Sequence, residues 1–177
     1  MLYGAAAHEK NIQIIITLLL GISIGFSYIH FFELAKFRSA YWESTPILVD
    51  CTHGTLKRER LESAVDYWRE YNHTVAFVEL NPSFKICSKD HIDGFIIVKN
   101  AILDWPVLGE TSRRSNVSRK INSAVITLSI GNANEPRLLE HELGHAFGYR
   151  HMNINGHIMH SDYDQAGYDF WEGDVVD

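Results

Sequence analysis

Residues 141–151 of this chain read HELGHAFGYRH. On a helix, residues four apart share a face, so His141 and His145 can direct two imidazoles at one point. Gly148 can adopt a positive φ without steric cost, so it can end the helix and turn the backbone until His151 supplies a third nitrogen. Three neutral imidazoles with one open position are typical of a catalytic zinc site rather than a closed structural one.

Glu142 stands directly after the first of these histidines. In this position its carboxylate can reach a water molecule held at the metal, so we interpret it as the general base of a hydrolytic reaction. The alternative interpretation is a surface helix with unrelated histidines, which requires the whole pattern to arise by chance. The pattern therefore predicts one catalytic zinc ion, bound by His141, His145 and His151, with Glu142 as the base.

The same stretch resembles the zinc signature of the metzincin endopeptidases, and it is most similar to the matrixins, the matrix-metalloprotease branch. Met159 follows the third histidine at the short spacing of matrixins, and Tyr163 stands where matrixins usually place a tyrosine. Matrixins usually carry a proline two residues after the methionine, where this chain has Ser161. The resemblance implies that Met159 forms an apolar floor below the metal and is not a ligand.

The resemblance also implies an α+β, zincin-like fold. We expect a mostly antiparallel-edged, twisted sheet of about 4–5 strands with two main helices. Strand-like runs cover residues 46–50, 74–80, 94–99 and 123–130, and apolar spacings of three and four predict a helix over residues 55–72. By resemblance, the run at 123–130 is expected to be the edge strand that lines the cleft, where an extended peptide could pair with it.

Residues 100–120 are predicted to be irregular and polar. Their basic side chains form either a solvated loop or, alternatively, a surface that favours acidic residues in a substrate: Arg113, Arg114, Arg119 and Lys120. Matrixins often hold calcium ions or a second, structural zinc in this region. His91 and Asp93 are the nearby pair of suitable type, and two such residues do not make a convincing ligand set.

The size and charge of the chain limit its function classes. A length of 177 residues predicts one catalytic domain, and a net charge of −6 without a large basic cluster argues against a nucleic-acid partner. The expected function, implied by the resemblance, is a zinc-dependent metalloendopeptidase acting on protein or peptide substrates. The alternative is a membrane-tethered, zinc-stabilised binding module without protease activity, although such a module has no chemical need for Glu142.

Residues 11–32 contain no Asp, Glu, Lys or Arg. About 20 apolar residues are enough to cross a bilayer, so we interpret this segment as a lipid-contacting, single-pass membrane anchor. The alternatives are a cleaved signal peptide, which would make the protein secreted, and a buried core helix. The family resemblance favours an extracytoplasmic catalytic domain. The predicted organisation is a tail over residues 1–10, the anchor at 11–32, a linker over 33–44 and the catalytic domain at 45–177.

Two cysteines and several further histidines lie outside the zinc pattern. Cys51 and Cys87 could form a disulfide outside the cytoplasm, or both could be free thiols. His157 and His160 are predicted to be surface or turn residues.

Overall fold

The computed structural model describes residues 38–80 and 82–171. Its helices and strands, in chain order, are β1 (Tyr41–Trp42), β2 (Ile47–Asp50), α1 (Arg58–Glu70), β3 (Val78–Glu79), α2 (Phe84–Cys87), β4 (Phe95–Ala101), β5 (Gly109–Ser115), β6 (Lys120–Ser129) and α3 (Leu138–Ala146). The strands form one six-stranded sheet with the order β1-β6-β4-β2-β3, and β5 also pairs with β6.

Most of the sheet is parallel. Strand β2 pairs in parallel with β3 and β4, and β6 pairs in parallel with β4 and β1, whereas β5 runs antiparallel to β6. The central strand β4 carries a continuous buried run, Ile96 to Val98, because both of its faces are covered.

The main core lies on the helical face of the sheet. Apolar spacings of three and four predict a buried stripe of Leu61, Ala64, Val65, Trp68 and Tyr71. Helix α1 buries the first four, whereas Tyr71 follows the helix and is only partly buried. Trp68 is fully buried, and its indole Nε1 donates to the Glu140 carbonyl of α3 at 2.7 Å. This contact joins α1 to α3, the helix that carries the predicted zinc pattern.

The opposite face of the sheet has a smaller core. Val49, Ile97 and Val125 cluster there with Cys51, which forms a disulfide with Cys87. Of the two alternatives that the sequence leaves open, the structure contains the disulfide. It links the residue after β2 to the last residue of α2.

The expected fold class is wrong in its sheet and in its helix count. Among the described residues there are six strands and three helices, and four of the five strand pairings are parallel. Parallel neighbours require long crossover connections, and the chain has these, since α1 lies between β2 and β3.

The predicted edge strand is also wrong. Residues 123–130 fall largely within β6, which pairs with β4 and β5 on its two sides. Strand β5, from the region predicted to be irregular, is an edge strand, and in the described part of the chain it pairs with β6 alone. The sequence does not predict β5 because its residues are mostly polar. Only every second residue over its first five positions is even partly buried, so the strand does not need apolar side chains.

The predicted membrane anchor at residues 11–32 lies outside the described residues. Within residues 38–80 and 82–171, no helix has both the length and the apolar character needed to span a bilayer. The prediction of a single-pass membrane protein with a lipid partner therefore finds no support in this part of the chain.

Candidate metal centre

The three predicted histidines lie together at the end of α3. His141 and His145 are one helical turn apart, and their ring centroids are separated by 4.7 Å. After α3 ends, Gly148 adopts a φ of +108°, and the chain turns so that the His151 ring lies 4.7 Å from the His145 ring. One nitrogen from each of the three imidazoles lies within 4.8 Å of the others.

Backbone carbonyls fix the orientation of two of these rings. His141 Nδ1 lies 2.8 Å from the Ile158 carbonyl oxygen, and His145 Nδ1 lies 2.9 Å from the Tyr149 carbonyl oxygen. Because a carbonyl can only accept, each Nδ1 carries the proton and donates it. The Nε2 atoms are thereby left with free lone pairs, which is the tautomer that a metal ligand requires.

The spacing of the Nε2 atoms suits a shared metal ion. His145 Nε2 and His151 Nε2 are 3.1 Å apart. Two nitrogens that each lie about 2.0–2.1 Å from a tetrahedral zinc ion are separated by about 3.3–3.4 Å. The three imidazoles therefore fit zinc in their chemistry, and the separation of the His145–His151 pair is close to the one that zinc requires.

Burial keeps the three imidazoles neutral. It lowers the pKa of His141 to about 3 and that of His145 to about 4, and it also lowers the pKa of His151. Nearby imidazoles act in the same direction, since a second positive charge in the cluster would be repelled. Neutral imidazole is the form that binds a metal, so the trio is ready to bind one at neutral pH.

The Glu142 side chain is buried beside these rings and is only 4% exposed. The Thr111 hydroxyl of β5 donates to Glu142 Oε2 at 2.6 Å. Burial raises the pKa of the Glu142 carboxyl to about 7, while the hydrogen bond from Thr111 opposes that rise. A carboxylate in this range can both accept and return a proton near neutral pH.

Met159 lies beneath α3. It is fully buried, and a Cβ added at Gly144 would lie only 2.3 Å from its Sδ. His157 Nδ1 accepts a hydrogen bond from the Met159 backbone N–H at 3.0 Å. His157 and His160 are 0% and 6% exposed, so of the two predicted alternatives, surface or turn residues, the surface one is wrong. Both backbone N–H groups donate to the carbonyl three residues earlier, as in turns.

A groove of about 770 Å³ runs over the cluster. The first residues of β5 form one side, and the loop before β5 adds the exposed side chains of Trp105 and Val107. The other side contains Tyr163, whose hydroxyl donates to the Pro136 carbonyl at 2.6 Å. All three histidines and Glu142 contribute to its surface.

Residues outside the predicted site hold the C-terminal end of α3. The Trp42 indole Nε1 donates to the Ala146 carbonyl at 2.9 Å, and Arg113 Nη1 donates to the His145 carbonyl at 2.6 Å. Ser39 donates to the Gly148 carbonyl through both its backbone N–H and its hydroxyl. Arg113 is thus part of a helix cap, and its prediction as a solvated loop residue is wrong.

The other residues considered as metal ligands do not join the cluster. His91 Nδ1 lies 2.9 Å from the Ser123 hydroxyl. In the part of the chain that the structure describes, His141, His145 and His151 form the one group of at least three side chains with metal-ligating spacing.

No protein-family model and no curated protein sequence matches this chain. Among solved structures, it is similar to the crystal structure of metalloproteinase-II from Bacteroides fragilis, with a TM-score of 0.44 and 15% sequence identity. The match covers 73% of this chain and 50% of that chain. A similarity of this degree does not identify the chain as a matrixin, and it does not by itself assign an activity.

Proposed function

We propose that this protein is a zinc-dependent metalloendopeptidase that hydrolyses peptide bonds of protein substrates. The observation that carries the proposal is the convergence of three neutral imidazoles beside a buried carboxylate in an open groove. Three histidine ligands leave a position free for chemistry, whereas a structural site closes it with a fourth protein ligand.

In this proposal His141, His145 and His151 hold zinc through their Nε2 atoms. When bound, the ion supplies Lewis-acid activation of a water molecule and of the scissile carbonyl. The carbonyls of Ile158 and Tyr149 keep the two helical imidazoles oriented through their Nδ1–H groups. Removal of such hydrogen-bond partners typically lowers metal affinity or activity by roughly 10–100-fold, and we expect an effect of that order here.

Glu142 carries the proton chemistry. Its carboxylate accepts a proton from the attacking water, whose oxygen forms a bond to the acyl carbon. The same carboxyl then donates the proton to the departing amine nitrogen as the C–N bond breaks. Its pKa of about 7 supports both directions of transfer at neutral pH.

The edge of β5 that pairs with none of the described strands supports a polypeptide substrate. A strand edge offers unpaired backbone N–H and C=O groups, and an extended peptide can pair with them whatever its sequence. Residues of β5 line the same groove as Glu142 and the imidazoles, so a peptide bound along this edge would pass the carboxylate.

The test is a comparison of zinc-loaded wild-type chain with Glu142→Gln. We expect the wild type to cleave casein or a quenched peptide library and the variant to lose at least about 10²-fold in kcat while it retains zinc. Glu62→Gln, on the exposed face of α1, is the matched control and should cleave normally. Undiminished cleavage by Glu142→Gln would reject the assignment.

The same experiment separates the alternative function. A zinc-stabilised binding module would retain the metal, lose thermal stability on chelation and cleave no member of the library. The burial of Glu142 against Thr111 favours the enzyme, because a base held in this way has no use at a purely structural site.

A further inference from the structure

Alternate residues of the edge strand β5 enclose the Glu142 side chain. Successive residues of a strand point to opposite faces, so Gly109 and Thr111 lie on the face toward α3, while Glu110 and Ser112 are exposed. The Thr111 hydroxyl lies 2.6 Å from Glu142 Oε2 and 3.1 Å from the Glu142 carbonyl oxygen. One hydroxyl hydrogen serves the shorter, charge-assisted contact to the carboxylate.

Gly109 limits the other side of the carboxylate. A Cβ added at this position would lie 2.8 Å from Glu142 Oε1 and 3.1 Å from Glu142 Cδ. Any residue larger than glycine would therefore push the carboxylate away from its place. The two β5 residues affect different oxygens of the same group: Thr111 donates a hydrogen bond to Oε2, and Gly109 lacks the Cβ that would crowd Oε1.

We propose that Thr111 is a positioning residue that holds the Glu142 carboxylate in a single orientation within the groove, in space that is open because residue 109 is a glycine. This inference rests on the proposed function, in which Glu142 is the general base. A glutamate side chain has three rotatable bonds, and a base that is misplaced by about 1 Å can lose on the order of 10²-fold in rate. The hydrogen bond from Thr111 selects one of the available rotamers, and the missing Cβ at Gly109 leaves room for it.

The arrangement also ties the base to the substrate strand. The β5 backbone that a bound peptide would pair with is the same backbone that carries Gly109 and Thr111. The distance from the carboxylate to a peptide on that edge is then set within one strand and does not depend on how a distant loop is placed. Loss of the positioning contacts should consequently affect the chemical step more than the binding of the peptide.

The test uses full-length, zinc-loaded protein with three variants of β5. Thr111→Val keeps the side-chain shape and removes the hydroxyl, whereas Thr111→Ser keeps the hydroxyl. We expect Thr111→Val to lose roughly 10–100-fold in kcat with little change in KM, and Thr111→Ser to stay near wild type. Ser112→Ala removes the neighbouring hydroxyl from the opposite face of β5 and is the control that should leave both constants unchanged.

A structural readout keeps the inference separate from the enzymatic activity. In crystal structures of the zinc-loaded proteins, we expect the Glu142 carboxylate to leave its wild-type position in Thr111→Val and to keep it in Thr111→Ser. Gly109→Ala is the independent second perturbation, and it should displace the same carboxylate because the added methyl group crowds Oε1. Zinc affinity, measured by competition with a chelator, should be the same in all of these variants.

If the wild type cleaves peptides and Thr111→Val keeps its full kcat, the positioning role is overturned while the proposed function stands. If the wild type does not cleave, the proposed function fails, and the Glu142 position in the variant structures still decides the positioning role. An unmoved carboxylate in both Thr111→Val and Gly109→Ala would overturn it in either case.

Discussion

At the scale of single residues, Gly148 decides whether the third imidazole reaches the other two. Its φ is +108°, and a Cβ there would lie 1.8 Å from the Ala40 carbonyl oxygen. The glycine is needed both for the backbone conformation and for the close approach of the Ala40 backbone.

We expect the positive φ alone to make Gly148→Ala less stable by about 1–3 kcal/mol, and the clash with the Ala40 carbonyl to add to this loss. Zinc binding should weaken as well, because the added methyl group displaces the turn before His151. Thermal unfolding and a zinc competition titration measure the two effects. Gly94→Ala is the matched control, since Gly94 has a φ of +83° but open space around its Cβ position. If the two variants behaved alike, the close contact at Gly148 would have no role.

The sequence predicts the three histidines as a group because the helical spacing and the glycine depend on local geometry alone. It does not predict the roles of Thr111 and Gly109, because these depend on Glu142, which lies about 30 residues further along the chain. The small and polar residues at the start of β5 could indicate a strand that contacts the site, but this interpretation requires knowing how the strand packs against α3.

At the scale of elements, the C-terminal end of α3 is closed by groups from outside the helix. The last carbonyls of a helix have no partner within it. Here Trp42 donates a hydrogen bond to the Ala146 carbonyl, and Arg113 donates one to the His145 carbonyl. The positive guanidinium is also favourable at this end of the helix, which is the negative end of the helix dipole. Residues 33–44, predicted as a linker, therefore include a segment that contacts the metal-site helix.

We expect Trp42→Phe to lower the free energy of unfolding by about 1–3 kcal/mol, because the Ala146 carbonyl loses its donor while the aromatic packing is largely kept. Chemical denaturation measures the change. Trp105→Phe is the control, since Trp105 is 85% exposed and should cost little. Equal effects of the two substitutions would show that the indole hydrogen bond contributes nothing to the helix end.

The strands differ in how well their sequences predict them. The runs that became β2 and β4 are apolar and buried, so their composition identifies them. Strand β5 reads GETSRRS, and no hydrophobic alternation marks it. The sequence pattern also does not determine strand order or direction. It therefore predicts neither the parallel sheet nor the position of β6 inside it.

At the scale of the whole molecule, the sheet separates the metal site from the disulfide. Ile96 and Val98 of β4 face the core that contains Met159, whereas Ile97 faces the smaller cluster beside Cys51. Changes on the disulfide side should therefore affect global stability and leave the metal centre intact.

We expect the double substitution Cys51→Ser and Cys87→Ser to lower the free energy of unfolding by about 3–4 kcal/mol, because it releases a loop closed over a sequence separation of 36. Zinc affinity should not change. Denaturation curves and a zinc titration on the same samples measure both quantities. A large loss of zinc affinity in a variant that is still folded would contradict the separation of the two faces.

The most direct measurement of the central claim is zinc K-edge X-ray absorption of the purified, full-length chain. We predict one zinc ion per chain with three imidazole nitrogens at about 2.0–2.1 Å and one oxygen from solvent. A chain that cannot be loaded with zinc, or a first coordination shell with fewer than three imidazoles, would contradict the account.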